Sequence, residues 1–330
     1  MNGRRKTIIS VATAIGMGLL ILDTKTAVAG AQSGVDLCIR TVIPSLLPFF
    51  FLSVLLTASL IGRKIGILKP VCRLCRIPEG AESIFLAGLL GGYPVGAQCV
   101  SQAVENGCLH KLDARRMLAF CSNCGPAFLF GIVAGLFDRW WDAWLLWGIH
   151  MASALCVGAL LPGNPHACRI PKISPIGPVQ ALERACKIMA GVCGWVVLFK
   201  VFLSFLQRWF LWMLPVELQI AIQGLLELSN GCIALSDIRN PDLRFVLCAG
   251  ILSFGGLCVG MQTWSVVSEG VDRRLYFPGK VAQCAISLLL AATLQGMINW
   301  AVPALAVSVL AVIFLRKLQN SSSIPQPIGV

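Results

Sequence analysis

Long apolar runs, not a short alternation, dominate this chain. Stretches of about twenty apolar residues suit a helix that crosses a lipid bilayer. They predict eight membrane spans, at 7–22, 41–62, 116–137, 143–161, 188–208, 244–266, 281–297 and 301–315. Two further apolar stretches, 84–104 and 223–235, carry Gly, Pro or Glu near their centres. Such segments make poor continuous spans. They predict re-entrant hairpins, whose irregular backbone is tolerated only inside protein or facing water.

The order of elements repeats. The first half runs through span 41–62, a basic amphipathic segment 63–82 and a hairpin opening on Gly88-Leu89-Leu90. A span holding Ser122-Asn123-Cys124-Gly125-Pro126 and span 143–161 complete it. The second half runs through span 188–208, an interfacial segment 209–222 and a hairpin opening on Gly224-Leu225-Leu226. A span holding Ser253-Phe254-Gly255-Gly256 and span 281–297 complete it. The expected units are an N-terminal transmembrane anchor (1–34), a first repeat (35–162), a Pro-rich cytoplasmic linker (163–187) and a second repeat (188–300). A last transmembrane helix (301–317) and a disordered tail (318–330) follow. The linker is read from Pro162, Pro165, Pro171, Pro175 and Pro178, which forbid continuous helix.

Composition sharpens the picture. Of 330 residues 57% are hydrophobic and 13% charged, against about 25% charged in a soluble domain. A soluble enzyme, a coiled coil and a disordered chain are excluded, and an all-α polytopic membrane protein remains. The net charge of +12 is not a nucleic-acid footprint, because no basic run is interleaved with aromatics in a soluble segment. Placed on the span map, Lys25, Arg40, Arg139, Arg208, Arg239 and Arg244 fall outside and Lys200 falls within a span. All the remaining Lys and Arg fall inside. That split obeys the positive-inside rule with both termini in the cytoplasm. It also runs span 41–62 and span 188–208 in opposite directions, so the repeats are inverted. Inverted repeats with interrupted segments at matching places point to a secondary-transporter architecture. A signal-peptide reading of residues 7–29 is set aside, because Asp23 and Lys25 interrupt the apolar run before Ala27-Val28-Ala29.

Candidate chemistry lies at the interruptions. Gly91, Gly92, Tyr93 and Pro94 break the first hairpin; Ser122, Asn123 and Gly125 break the following span. Glu227, Ser229 and Asn230 sit in the second hairpin, and Ser253, Gly255, Gly256 and Gln262 at the last break. Freed backbone N–H groups at a half-helix start suit a polar ligand. Glu227 and Lys200 are candidates for ion coupling and for a buried pair, since ionisable groups within the membrane are expensive. Fifteen cysteines behave as small hydrophobes. Cys72-x-x-Cys75 and Cys121-x-x-Cys124 lack a second ligand pair, so no metal is expected. His110, His150 and His166 are expected to stand apart. No nucleotide-binding loop, nucleophile elbow or metalloprotease motif occurs, and no enzyme or cofactor is expected.

The strings Pro44-Ser45-Leu46-Leu47-Pro48-Phe49-Phe50, Gly92-Tyr93-Pro94-Val95-Gly96-Ala97, Ser122-Asn123-Cys124-Gly125-Pro126-Ala127-Phe128, Gly224-Leu225-Leu226-Glu227 and Phe254-Gly255-Gly256-Leu257-Cys258-Val259-Gly260-Met261-Gln262 follow in order. Together they resemble the YlbJ-type sporulation integral membrane proteins, of the group with a nucleoside-recognition "Gate" domain. The resemblance runs from about residue 35 to 300. It implies a multi-pass cell-membrane protein of a spore former, linked to cortex formation. It also implies a distant likeness to concentrative nucleoside transporters. The expectation is a permease for a small polar solute, driven by a cation or proton and embedded in the bilayer as a monomer or homo-oligomer. The competing expectation is a non-transporting scaffold that positions cortex-building proteins.

Overall fold

The computed structural model describes residues 3–60, 63, 65–166, 168 and 176–321. Among these residues all regular structure is helical. Six helical stretches are long and apolar enough to cross a membrane: 24–60, 140–160, 178–209, 241–266, 276–294 and 298–320. Thr7–Leu22 and Pro126–Leu136 are apolar but shorter.

Helix α1 (Gly3–Leu22) ends at Asp23, whose carboxylate accepts the Thr26 N–H and starts α2 (Thr24–Leu37). The span expected at 41–62 therefore begins far earlier. The chain runs from α2 through a π-turn (Cys38–Val42) into α3 (Ile43–Leu60) as one rod. Ile43 N–H reaches back to Cys38 O, a widened turn just ahead of Pro44 and Pro48 that absorbs their missing donors. The boundary expected at residue 34 falls inside this rod. Short pieces follow: α4 (Lys69–Leu74), then α5 (Glu82–Gly91) and α6 (Val95–Glu105), which fold on each other as the first hairpin.

The span expected at 116–137 is broken. Helix α7 (Lys111–Leu118) gives way to non-helical chain over 121–125 before α8 (Pro126–Gly131). Gly125 and Pro126 explain the stop: proline at the first helical position lacks only a donor that would be orphaned anyway. Helix α9 (Trp140–Leu160) completes the half. Helix α10 (Pro178–Trp209) starts ten residues before the expected span, so part of the expected linker is helix. Residues 167 and 169–175 of that linker and 322–330 of the expected tail lie outside the described residues.

The second hairpin is α11 (Val216–Leu226) and α12 (Leu228–Ala234), joined through Glu227. Helices α13 (Pro241–Phe254) and α14 (Gly256–Val266) are one span broken at Gly255, whose φ of +80° is the left-handed cap that glycine supplies. Helices α15 (Tyr276–Leu294) and α16 (Ile298–Ser321) close the chain.

The rod α2–α3 and α10 run antiparallel. Arg208 pairs with Asp23 at 3.1 Å, and Cys38 Sγ reaches Cys193 O. Gly30 and Gly34 face α10, where a Cβ on Gly34 would come 2.8 Å from Val197 Cα. Small residues at this spacing let helices approach closely in lipid.

Two ends of the bundle can be told apart. At one, Arg76 donates to Leu161 O, Arg115 to Leu318 O, Arg316 to Leu160 O, and Arg115 pairs with Asp272. Asp272 is held below the usual carboxylate range: burial pushes it up, but hydrogen bonds from Arg274 and the charges of Arg115 and Arg274 outweigh that. The open ends of the first hairpin lie here, where Ser101 bonds Ser268 and Gln102 shares a cavity with Thr57 and Arg184. At the other end Arg244 donates to Ile238 O and Leu136 O, and Gln207 bonds Gln219. The open ends of the second hairpin lie there, with exposed Trp140, Trp141, Trp209 and Trp212. The two hairpins thus enter from opposite ends.

Candidate functional site

Each hairpin closes on glycine because nothing larger fits. At the first, Gly88 and Gly96 face each other, and a Cβ on either would strike the Cys121 carbonyl. At the second, a Cβ on Gly231 would strike Gly224 Cα. Each tip then meets a helix break. Gly92 lies against Gly125, where an added Cβ would sit 2.8 Å from Gly125 N; Gly256 lies 3.2 Å, by the same measure, from Gly224 O, Leu226 O and Leu228 N. Tyr93 links the halves: its hydroxyl donates to Leu252 O at 3.5 Å and packs on Gly255.

Between the tips lies a cavity of about 40 Å³. Of the residues expected at the site, Gly91, Gly92, Tyr93, Gly125, Glu227, Ser229 and Gln262 line it, with Val42, Phe50, Phe128 and Val196 as apolar wall. A water needs roughly 10–15 Å³ on this scale, so the cavity has room for a few waters and for no larger solute. Pro94, Ser122, Asn123, Asn230, Ser253, Gly255 and Gly256 do not line it. Gln98, a neutral polar residue near the first break, faces a different cavity beside Gln102.

Glu227 is 1% exposed. It closes α11 and caps α12. Its carboxylate accepts the N–H groups of Ser229 at 3.0 Å and Asn230 at 2.7 Å, and Asn230 Nδ2 at 2.7 Å. Lys200 Nζ donates to Asn230 Oδ1 at 2.5 Å. The pair anticipated between Lys200 and Glu227 is therefore relayed through Asn230. A capping carboxylate bonded three times satisfies donors that the hairpin tip would otherwise leave bare.

The first tip has no charge of its own and takes one from α15. Lys280 is fully buried. Its ammonium donates to Ser122 O, to Gln283 Oε1 at 2.7 Å and to Tyr93 Oη at 3.3 Å, and it lies 5.1 Å from the centre of the Tyr93 ring. Among the described residues no carboxylate pairs with it. Gln283 Nε2 donates to Asn123 Oδ1 at 3.0 Å and to His150 O at 3.3 Å, while Asn123 Nδ2 donates to Phe120 O. His150 Nε2 accepts the Cys124 N–H at 3.0 Å, so its proton sits on Nδ1, 3.0 Å from Ser253 Oγ. Ser122 Oγ is buried without a partner among the described residues.

Lys280 corrects the sequence reading, which placed it in a loop inside the cell. Pro278-Gly279 beside it mimics a loop, but α15 begins at Tyr276 and carries it inward. One signal was available. Tyr276, Lys280, Gln283 and Ser287 recur at helical spacing and are all buried. The histidines correct it too: His110 and His166 do meet, with ring centres 4.0 Å apart.

Over 296 residues the chain is 26% identical to the sporulation integral membrane protein YlbJ of Bacillus subtilis (strain 168), an alignment covering 76% of this chain and 72% of that protein. No family model matches the chain. No solved structure matches it. Taken with the many-helix membrane architecture, the similarity supports a YlbJ-type assignment for this chain.

Proposed function

We propose that this protein is a secondary transporter used in spore formation, carrying a small polar solute between two inverted halves. The observation that carries this reading is the meeting of two hairpin tips, entered from opposite ends and each pressed on a helix break, with one small cavity between the tips. Discontinuous helices at mid-depth are how transporters present backbone groups to a solute. The solute would occupy the ground between Gly91–Pro94, Ser122–Gly125, Glu227–Asn230 and Ser253–Gly256, with Gln262 at its edge. The cavity is too small for it as it stands, so loading requires the halves to part. Ion coupling would run through Glu227 and Lys200, which Asn230 already joins. The basic end would face the cytoplasm, by the positive-inside rule.

The test is thiol accessibility in a cysteine-depleted background. Ser229→Cys and Gln262→Cys, assayed in sealed vesicles of either orientation, are expected to react with a membrane-impermeant maleimide from at least one side. Ser308, buried on α16, which lines no part of the cavity, serves as control when replaced by Cys. No reaction at either cavity position from either side would overturn the transport reading and leave the scaffold.

A further inference from the structure

A second group of chemical side chains lies at the basic end, away from the cavity. His110 caps α7, its Nδ1 accepting the Leu112 N–H at 3.3 Å. Asp113, one turn on, is buried at 2% exposure. His166, in the chain leaving α9, donates its backbone N–H to Asp113 Oδ2 at 3.0 Å and sets its ring Nδ1 2.8 Å from the same oxygen. The imidazoles of His110 and His166 stack at 23°. One donor atom from each of the three residues lies within 4.8 Å of the others.

We propose that His110, Asp113 and His166 form a divalent transition-metal site, with Zn2+ the best-fitting ion, that ties the loop ahead of α7 to the chain leaving α9. Two imidazoles and one carboxylate are the donors that zinc takes at about 2.0–2.2 Å. In a tetrahedron those lengths put ligand atoms about 3.3–3.5 Å apart. Drawing the three inward needs only rotation of two histidines, both of which are exposed to solvent. The carboxylate is already oriented. Arg116 Nη2 stands 3.4 Å from Asp113 Oδ1, and Arg116 is itself held by the carbonyls of Cys75 and Arg76. A ligating carboxylate fixed by an outer hydrogen bond is the arrangement that metal sites need. Oδ2 is left toward the imidazoles, and the exposed side leaves a fourth position to water. Helix α7 leads into the break at 121–125, so a bound ion would fix the approach to the first tip. The inference does not depend on transport.

Zinc is added to the full-length protein in detergent, in competition with a chromophoric chelator. One equivalent is expected to bind. Affinity should fall at least tenfold in His110→Ala and in His166→Ala, and zinc should raise the melting midpoint of the parent protein but not of the double variant. Both histidines are exposed, so the variants should fold, which their unliganded melts would verify. Equal uptake by parent and double variant would assign the zinc to cysteines and overturn the site. No uptake by the parent at micromolar zinc would overturn it as well.

Discussion

The two hairpins use one backbone device and opposite electrostatics. Both pinch on a glycine pair, Gly88 with Gly96 and Gly224 with Gly231, and both press their tips on a helix break. The second hairpin carries its own carboxylate, which caps the helix that follows it in sequence. The first has no charge at its tip, which is held by Lys280, reached across the fold from α15. The second tip is thus organised locally, whereas the first draws part of its support from the other half.

The largest expected effect tests the equivalence. Gly88→Ala and Gly231→Ala each place a methyl group onto backbone, and overpacking costs about 1–3 kcal/mol or more. Both should sharply reduce folded yield in size-exclusion chromatography. Gly16→Ala, which meets nothing within 4 Å, should be neutral. If only one of the pair is disruptive, the hairpins are not equivalents.

Next comes Glu227→Ala, which strips the acceptor from two amides and Asn230. Buried donors left bare cost about 1–3 kcal/mol each, so a melt in detergent should drop by more than for Tyr93→Phe. The tyrosine loses one hydroxyl with long bonds, worth about 0.5–1.5 kcal/mol. A larger drop for Tyr93→Phe would reverse the comparison.

A double-mutant cycle sharpens it. Lys200→Met and Glu227→Gln should couple by about 0.5–1 kcal/mol, and the coupling should vanish in an Asn230→Ala background, because the link is relayed. Coupling that survives without Asn230 would mean direct contact between the two charges.

The smallest effect is at the basic end. Asp272 is held below its ordinary carboxylate range. Its contribution is therefore complete above the unfolded value near 3.9 and is lost as pH falls through the lower folded value. Asp272 is partly exposed, so the contribution is at most about 1 kcal/mol. Asp272→Asn should lower the melt slightly at pH 7 and flatten its fall below about pH 4. An unchanged pH profile would remove the pairing with Arg115 and Arg274 from the account.

Much of the architecture was legible in order. Gly92-Tyr93-Pro94, Gly125-Pro126 and Gly255-Gly256 announce breaks because proline and glycine act on their own backbone, whatever surrounds them. Glu227 announces itself because a carboxylate amid apolar residues has few bland explanations. The rod from Thr24 to Leu60 differs from the expected span at 41–62 because residues 24–40, with Asp36 and Arg40 among them, read as an outer loop. Both are exposed along the helix, and a helical residue at the surface can keep its charge wet.

Hydropathy and breakers act along the chain, so the sequence by itself determined a many-helix membrane protein with interrupted segments at matching places. Burial and partnership act across it. Whether Lys280 lay in water or beneath Tyr93, whether Asn230 stood between Lys200 and Glu227, and whether His110 met His166 were decided only by the packing of helices far apart in sequence. A lysine near a helix start reads the same in both settings; only its neighbours in space tell them apart.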